Sequence, residues 1–208
     1  MTTSFRAPGR VNLIGDHTDY NAGYALPVAI DLDCVVTATA RDDAELHVRW
    51  LDGEHHSDRY VTAVERALSA RGRPPVGIDA EVTSRIPIGS GLSSSAALEV
   101  ALALALLDAG RLVLPRTEIA LACRDAELTA TGVPCGVMDQ MASLEGRAGC
   151  ALLLDCRSLE VTRVRLPPEL GLIVVHSGLP RALASTAYAE RRAEIGRASC
   201  RERVCSVV

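Results

Sequence analysis

Residues Val100 to Leu107 are an unbroken run of Val, Ala and Leu, bounded by Glu99 and Asp108. The run is far shorter than the roughly 20 residues that cross a bilayer, so it predicts the middle of a buried helix over Ser93–Ala109. A helix apolar on every side must be enclosed by other elements, which demands a layered core. With 208 residues, 48% of them hydrophobic, the chain can build one. Only 3% are aromatic, so packing must rest on Ala, Val and Leu. The length suggests one domain, or a domain and a fraction.

Flanking segments supply the enclosing layers. Tyr24–Ile30 and Cys34–Arg41 read as buried strands, and Glu45–Trp50 as a more exposed one. Asp58–Arg71 carries Val61, Val64, Ala67 and Leu68 at helical spacing and is stopped by Gly72-Arg73-Pro74-Pro75. Gly77–Arg85 alternates as a half-buried strand, Pro87–Gly91 is a loop, and Pro115–Thr129 is a second long helix. Strands are expected at Ala151–Asp155, Val161–Leu166 and Leu170–His176, then a helix at Ala182–Glu194. Strand groups mixed with helices give an α+β class rather than a regular βαβ repeat. Residues 195–208 keep no period and are expected to be a non-native tail.

Charge and cysteine usage exclude several roles. The formal charge is -4 and no Lys/Arg cluster interleaves with aromatics, which argues against nucleic acid as a partner. Met1–Gly9 lacks the apolar core of a signal peptide, and no run is long enough for a membrane span. Seven cysteines (34, 123, 135, 150, 156, 200 and 205) are an odd number without a C-x-x-C pair. They read as reduced thiols of a cytoplasmic protein, and zinc-ligand spacings are absent.

Two polar segments carry chemistry. Gly9-Arg10-Val11-Asn12-Leu13-Ile14-Gly15-Asp16-His17-Thr18-Asp19-Tyr20-Asn21-Ala22-Gly23 runs from a short strand into a tight loop packed with donors and acceptors. A polar turn accounts for two or three of these side chains, but a hydroxyl-rich ligand accounts for the set. In Ile86-Pro87-Ile88-Gly89-Ser90-Gly91-Leu92-Ser93-Ser94-Ser95-Ala96-Ala97, two glycines and three serines precede the long helix. Free N–H groups and the positive dipole end suit phosphate there, although a plain helix cap fits the loop about equally well. It is not a Walker A loop, because no Gly-Lys-Ser/Thr follows the glycines.

Together these segments resemble the galactokinase signature and the ATP loop of the GHMP small-molecule kinases, which include homoserine and mevalonate kinases. A third motif, Cys135-Gly136-Val137-Met138-Asp139-Gln140-Met141, resembles the family's Cys-Gly-Ile-Met-Asp-Gln-Phe. The resemblance implies a ribosomal protein S5 domain 2-like fold over residues 1–176. It also implies the start of a second domain at 177–194, with the rest of that domain and its glycine-rich motif missing. The implied activity is transfer of a phosphoryl group from ATP, with Mg2+, to the C1 hydroxyl of galactose. By position, Gly89, Ser90, Gly91, Leu92, Ser93, Ser94 and Ser95 would wrap ATP, and Ser95 and Glu127 would hold magnesium.

The same resemblance makes Asp139 the catalytic base. Arg10, always protonated, suits stabilisation of the base and of the transferring group. Asp16, His17, Thr18 and Asp19 match the family's sugar-contacting Glu-His-Thr-Asp, with Asp16 one methylene shorter than the usual Glu. Tyr188 matches a sugar-contacting Tyr in a Leu-x-x-x-x-Tyr-x-x-Arg-Arg helix. A monomer is expected. Open alternatives are a non-catalytic sensor of galactose and ATP, a kinase for a related sugar such as N-acetylgalactosamine, and an inert fragment.

Overall fold

The computed structural model describes residues 1–52, 58–175 and 194. Strands β1 (Thr2–Asn12), β2 (Tyr24–Ala25), β3 (Pro27–Ala40) and β4 (Leu46–Trp50) come first in the chain. Helix α1 (Arg59–Ser69) and strand β5 (Ile78–Ser84) follow. Helices α2 (Ser94–Ala109), α3 (Arg116–Thr131) and α4 (Met138–Glu145) lead to strands β6 (Cys150–Asp155) and β7 (Val161–Arg165). A four-stranded sheet has the order β1-β3-β5-β4, and a small sheet has the order β2-β6-β7. Pairing is antiparallel except between β4 and β5, which are parallel and joined through α1. A parallel pair needs such a crossover, because a tight turn can join only antiparallel neighbours.

Period-two patterning orients the main sheet. Val36 pairs with Val82 and Ala38 with Ala80, and all four are buried. Their neighbours Thr37, Thr39, Asp79 and Glu81 lie on the other face, as the pleat requires. Against the buried face lies α2, in contact with β1, β3, α1, α3 and α4. Its residues from Ala96 to Leu107 are buried except for half-buried Leu104. The alanines let the neighbouring layers approach closely, which makes up for the scarcity of aromatics. Arg73 is 4% exposed, and its Nε donates to Leu106 O at 2.9 Å, satisfying a carbonyl at the C-terminal end of α2.

Several expectations change. Met1–Gly9 is mostly strand, because β1 is a sheet edge whose Thr2, Ser4 and Arg6 face outward and dilute its hydropathy. The strands expected at Tyr24–Ile30 and Cys34–Arg41 are largely one continuous β3. Asp31 and Asp33 read as a break, but Asp33 is buried and paired with Arg6 and with Arg85, whose Nε lies 2.9 Å away. Helix α4 was not expected. Residues 170–175 form no strand, and no strand among the described residues pairs with them. The expected helix at Ala182–Glu194 with Tyr188, and the tail 195–208, lie outside the described residues apart from Glu194.

Described cysteines 34, 123, 135, 150 and 156 are free thiols. No helix among the described residues is long and apolar enough to cross a membrane. Because Leu102 is fully buried in α2 and Val113 is 92% exposed, their truncations should separate. Leu102→Ala should cost about 2–5 kcal/mol in denaturant unfolding. Val113→Ala should stay within about 0.5 kcal/mol.

Candidate active site

The site begins at an irregularity between β1 and β3. The register shifts between Pro8 and Arg10, where Gly9 alone stands opposite three residues of β3, 30–32. At the bulge a Cβ on Gly9 would sit 2.6 Å from Leu92 O, so only glycine allows this approach. The Arg10 backbone N–H donates to Leu92 O at 3.0 Å. Its side chain then spans three elements. Nη1 donates to Gly91 O at 2.7 Å, while Nε and Nη2 donate to Asp139 Oδ1 and Oδ2 at 2.7 and 2.8 Å. Asp139 stands in the first turn of α4, which Ser143 fastens to β1 through Pro8 O at 2.8 Å.

The glycine-serine loop has the alternating conformation of an anion cradle. Gly89, Gly91 and Ser93 take left-handed φ values of 72°, 79° and 61°. Ser90 closes the turn by donating to Pro87 O at 2.7 Å. Leu92 packs into the core and Ser94 opens α2, followed by Ser95. Ser93 occupies the N-cap position but makes no side-chain cap, and its hydroxyl donates to Asp139 Oδ2 at 2.6 Å. Arg10, the loop and Asp139 therefore form one hydrogen-bonded unit.

The loop from Gly15 to Gly23 lies beside it. Asp19 sits in a short 3-10 turn, Asp19–Asn21, and packs so tightly on Gly136 that a Cβ there would overlap the Asp19 carboxylate. Burial, with the Asp139 charge adding, pushes the Asp19 carboxyl from 3.8 up to about 6. Thr18 Oγ1 lies 2.7 Å from both Gly15 O and Tyr24 O, so its proton holds the loop backbone. His17 has φ 62°, and its Nδ1 lies 2.6 Å from Tyr20 Oη. Asp16 is exposed, and its Oδ1 accepts from Asn12 Nδ2 at 3.0 Å. Thus Asp19 faces the unit directly, whereas Thr18 shapes the loop that carries it.

On α3, Glu127 is 5% exposed and accepts from Tyr60 Oη at 3.4 Å. Beside it lies Glu99, fully buried, whose Oε2 accepts from Gln140 Nε2 at 3.1 Å. Burial holds the Glu99 carboxyl well above the carboxylate range, and the Glu127 charge adds to this. No donor reaches Glu99 Oε1. Glu127 is the acid whose charge and side-chain hydrogen bond add to the burial that raises Glu99. Glu99 and Gln140 were not singled out from sequence. Glu99 borders the apolar run, and a lone acid inside a buried helix was the signal available.

A groove of about 520 Å³ lies elsewhere, on the outer sheet face between Thr37, His47, Asp79 and Glu81. Its charged side chains are already paired with one another, His47 Nδ1 with Asp79 at 3.1 Å and Glu81 with Arg49.

Comparison with known proteins now bears on the arrangement. The profile described as the galactokinase galactose-binding signature matches residues 2–40, which cover β1 to β3. The profile of the GHMP kinases N terminal domain matches residues 59–147, covering α1 to α4. A galactokinase from Roseiflexus sp. (strain RS-1) is 46% identical over 203 residues, covering 91% of this chain and 52% of its own length. The chain belongs to the galactokinase family of GHMP kinases. The crystal structure of Lactococcus lactis galactokinase complexed with galactose superposes with a TM-score of 0.84 at 30% identity. It covers 100% of this chain and 58% of that one. Methanococcus jannaschii mevalonate kinase shares the fold, with a TM-score of 0.65 at 20% identity over 79% of this chain and 56% of that one. The chain thus spans about half the length of the galactokinase relatives it matches.

Two predictions follow from the buried acids of this family member. Glu99→Gln keeps the size and neutrality of the side chain and should cost under about 1 kcal/mol. Glu99→Ala opens a cavity and orphans the Gln140 amide, at about 2–4 kcal/mol by thermal unfolding. Equal losses would contradict a neutral Glu99.

For Asp19 the folded carboxyl, at about 6, titrates above its unfolded value of 3.8. The folded state therefore binds more protons between these values, and stability falls as pH rises from about 4 to 6. The penalty is complete above 6. Asp19→Asn should flatten that stretch of the unfolding profile and stabilise the fold at pH 7 by on the order of 2 kcal/mol.

Proposed function

We propose that residues 1–176 form the sugar- and nucleotide-binding half of an ATP-dependent galactokinase, which transfers the γ-phosphoryl group to the C1 hydroxyl of galactose. What carries this reading is Asp139, held by Arg10 and by Ser93 between the anion loop and the loop bearing Asp19. A base for a sugar hydroxyl must stand within hydrogen-bond reach of the proton it takes, and the position of Asp139 between the two loops supports that role. In the proposed step Asp139 accepts the C1 hydroxyl proton, the hydroxyl oxygen bonds to the γ-phosphorus, and ADP departs as that bond breaks. Arg10 contributes a permanent positive charge beside the transferring group. Most of the remaining acceleration would come from holding the two reactants in line.

Asp16 and Asp19 would accept from galactose hydroxyls, with His17 beside them. Asp16 is shorter than the family's Glu, and the amide of Asn12 holds its carboxylate in the loop. Gly89 through Ser95 would receive the phosphates on backbone N–H groups.

Magnesium fits the donors present. Ser95 and Glu127 both offer hard oxygen donors, and Glu127 accepts from Tyr60 Oη at 3.4 Å. Among the described residues no three His, Cys, Asp or Glu side chains form a full metal cage. Magnesium does not require one, since it usually takes one or two protein oxygens plus phosphates and water. When bound it would neutralise phosphate charge.

The test is galactose-dependent ADP release alongside calorimetric galactose binding. Asp139→Asn should lower ADP release by about 10²–10⁴-fold while galactose still binds. Unchanged release in that variant overturns the assignment of the base. A chain that binds no galactose overturns the choice of sugar.

A further inference from the structure

We propose that Ser93 is a positioning residue that couples occupancy of the anion loop to the readiness of Asp139, its hydroxyl holding one carboxylate oxygen until a phosphate group draws it away. The inference rests on the kinase reading above and adds to it a link between the nucleotide loop and the base.

Three features of Ser93 point the same way. It sits at the N-cap of α2 with φ 61° and ψ 46°, a left-handed conformation. For a residue with a Cβ this costs about 1–2 kcal/mol, so the surroundings must hold it there. They do, because the preceding Leu92 O and Gly91 O are both pinned by Arg10. A serine at an N-cap ordinarily accepts a hydrogen bond from the first helical turn. This one makes no such cap and instead donates to Asp139 Oδ2 at 2.6 Å, a short charge-assisted bond.

Hydrogen-bond capacity turns this geometry into coupling. A carboxylate offers about four lone-pair sites. Arg10 takes one on each oxygen of Asp139, and Ser93 takes the second on Oδ2. An incoming sugar hydroxyl therefore competes with Ser93 for that oxygen. A serine hydroxyl has a single proton, so it can serve Asp139 or a phosphate oxygen in the loop, but not both. Phosphate in the cradle turns the hydroxyl away and leaves Oδ2 open to the sugar. With the loop empty, Oδ2 stays filled and a sugar hydroxyl is left only the second site on Oδ1.

The experiment reads the Asp139 carboxyl by ¹³C NMR in the full chain labelled at aspartate, with the resonance assigned by its absence in Asp139→Asn. Ser93→Ala removes the hydroxyl. Ser93→Gly removes it and also relieves the left-handed backbone, so the pair separates the hydrogen bond from the strain. ADP is the probe, and its binding is followed independently through the amide resonances of Gly89 and Gly91. In the wild-type chain ADP should shift both the loop amides and the Asp139 carboxyl. In both variants the carboxyl should be displaced already without ADP, and its response to ADP should be largely lost while the loop amides still respond. Loop amides that respond without any change at Asp139, or an Asp139 response equal in wild type and variants, overturn the coupling alone. Loop amides that ignore ADP overturn the kinase reading and the coupling with it.

Discussion

The two-pronged contact between Arg10 and Asp139 holds the site together. It joins residues 129 positions apart and ties the edge strand β1 to the first turn of α4. The third arm of the guanidinium reaches Gly91 O, so the anion loop is fixed by the same side chain. Both partners are partly sheltered, with side chains 16% and 30% exposed, which makes the pair stronger than a surface bridge. Loss of either partner would leave the other charge poorly compensated in a half-dry site. The bulge at Gly9 and the Ser143 bond to Pro8 O supply the rigid backing that keeps the two ends in place.

Around that pair the fold gathers more acid than it can leave ionised. Asp19 and Glu99 both feel the Asp139 charge, Glu127 lies beside Glu99, and Arg10 pairs with Asp139. The outcome differs from site to site because solvent access differs. Glu99, fully enclosed, takes up a proton and becomes a donor. Asp19, at the rim, ionises only near pH 6. Such crowding costs stability, and active sites commonly carry that cost in exchange for reactivity. A group of this sign also suits a phosphate that arrives with its own cation, in keeping with the proposed magnesium.

Much of this was legible in the chain. The apolar run of α2, its serine-rich start and the two glycines before it mark a buried helix opening on an anion loop, since each signal is local. Arg10 and Asp139 could be named from motifs. Their contact could not, because nothing local relates them. Helix α4 escaped notice because it is eight residues long and its motif reads equally well as a loop. The break expected around Asp31 and Asp33 vanished because Arg6 and Arg85 come from other strands and loops to neutralise Asp33. Gly136 was named only as part of a motif, whereas its lack of a side chain is what admits the Asp19 carboxylate.

The sequence by itself determined the layers, the α+β class, the glycine-serine loop before α2 and the polar side chains proposed for the chemistry. These depend on periodicity, turn residues and residue type, which are properties of neighbours along the chain. Tertiary structure alone decided how those side chains are used. It paired Arg10 with Asp139, turned the Ser93 hydroxyl toward Asp139, and sealed Glu99 away from water, which raises its carboxyl. Each of these depends on distance, solvent exclusion and competing hydrogen-bond partners brought from remote parts of the chain, and so exists only once the layers have closed.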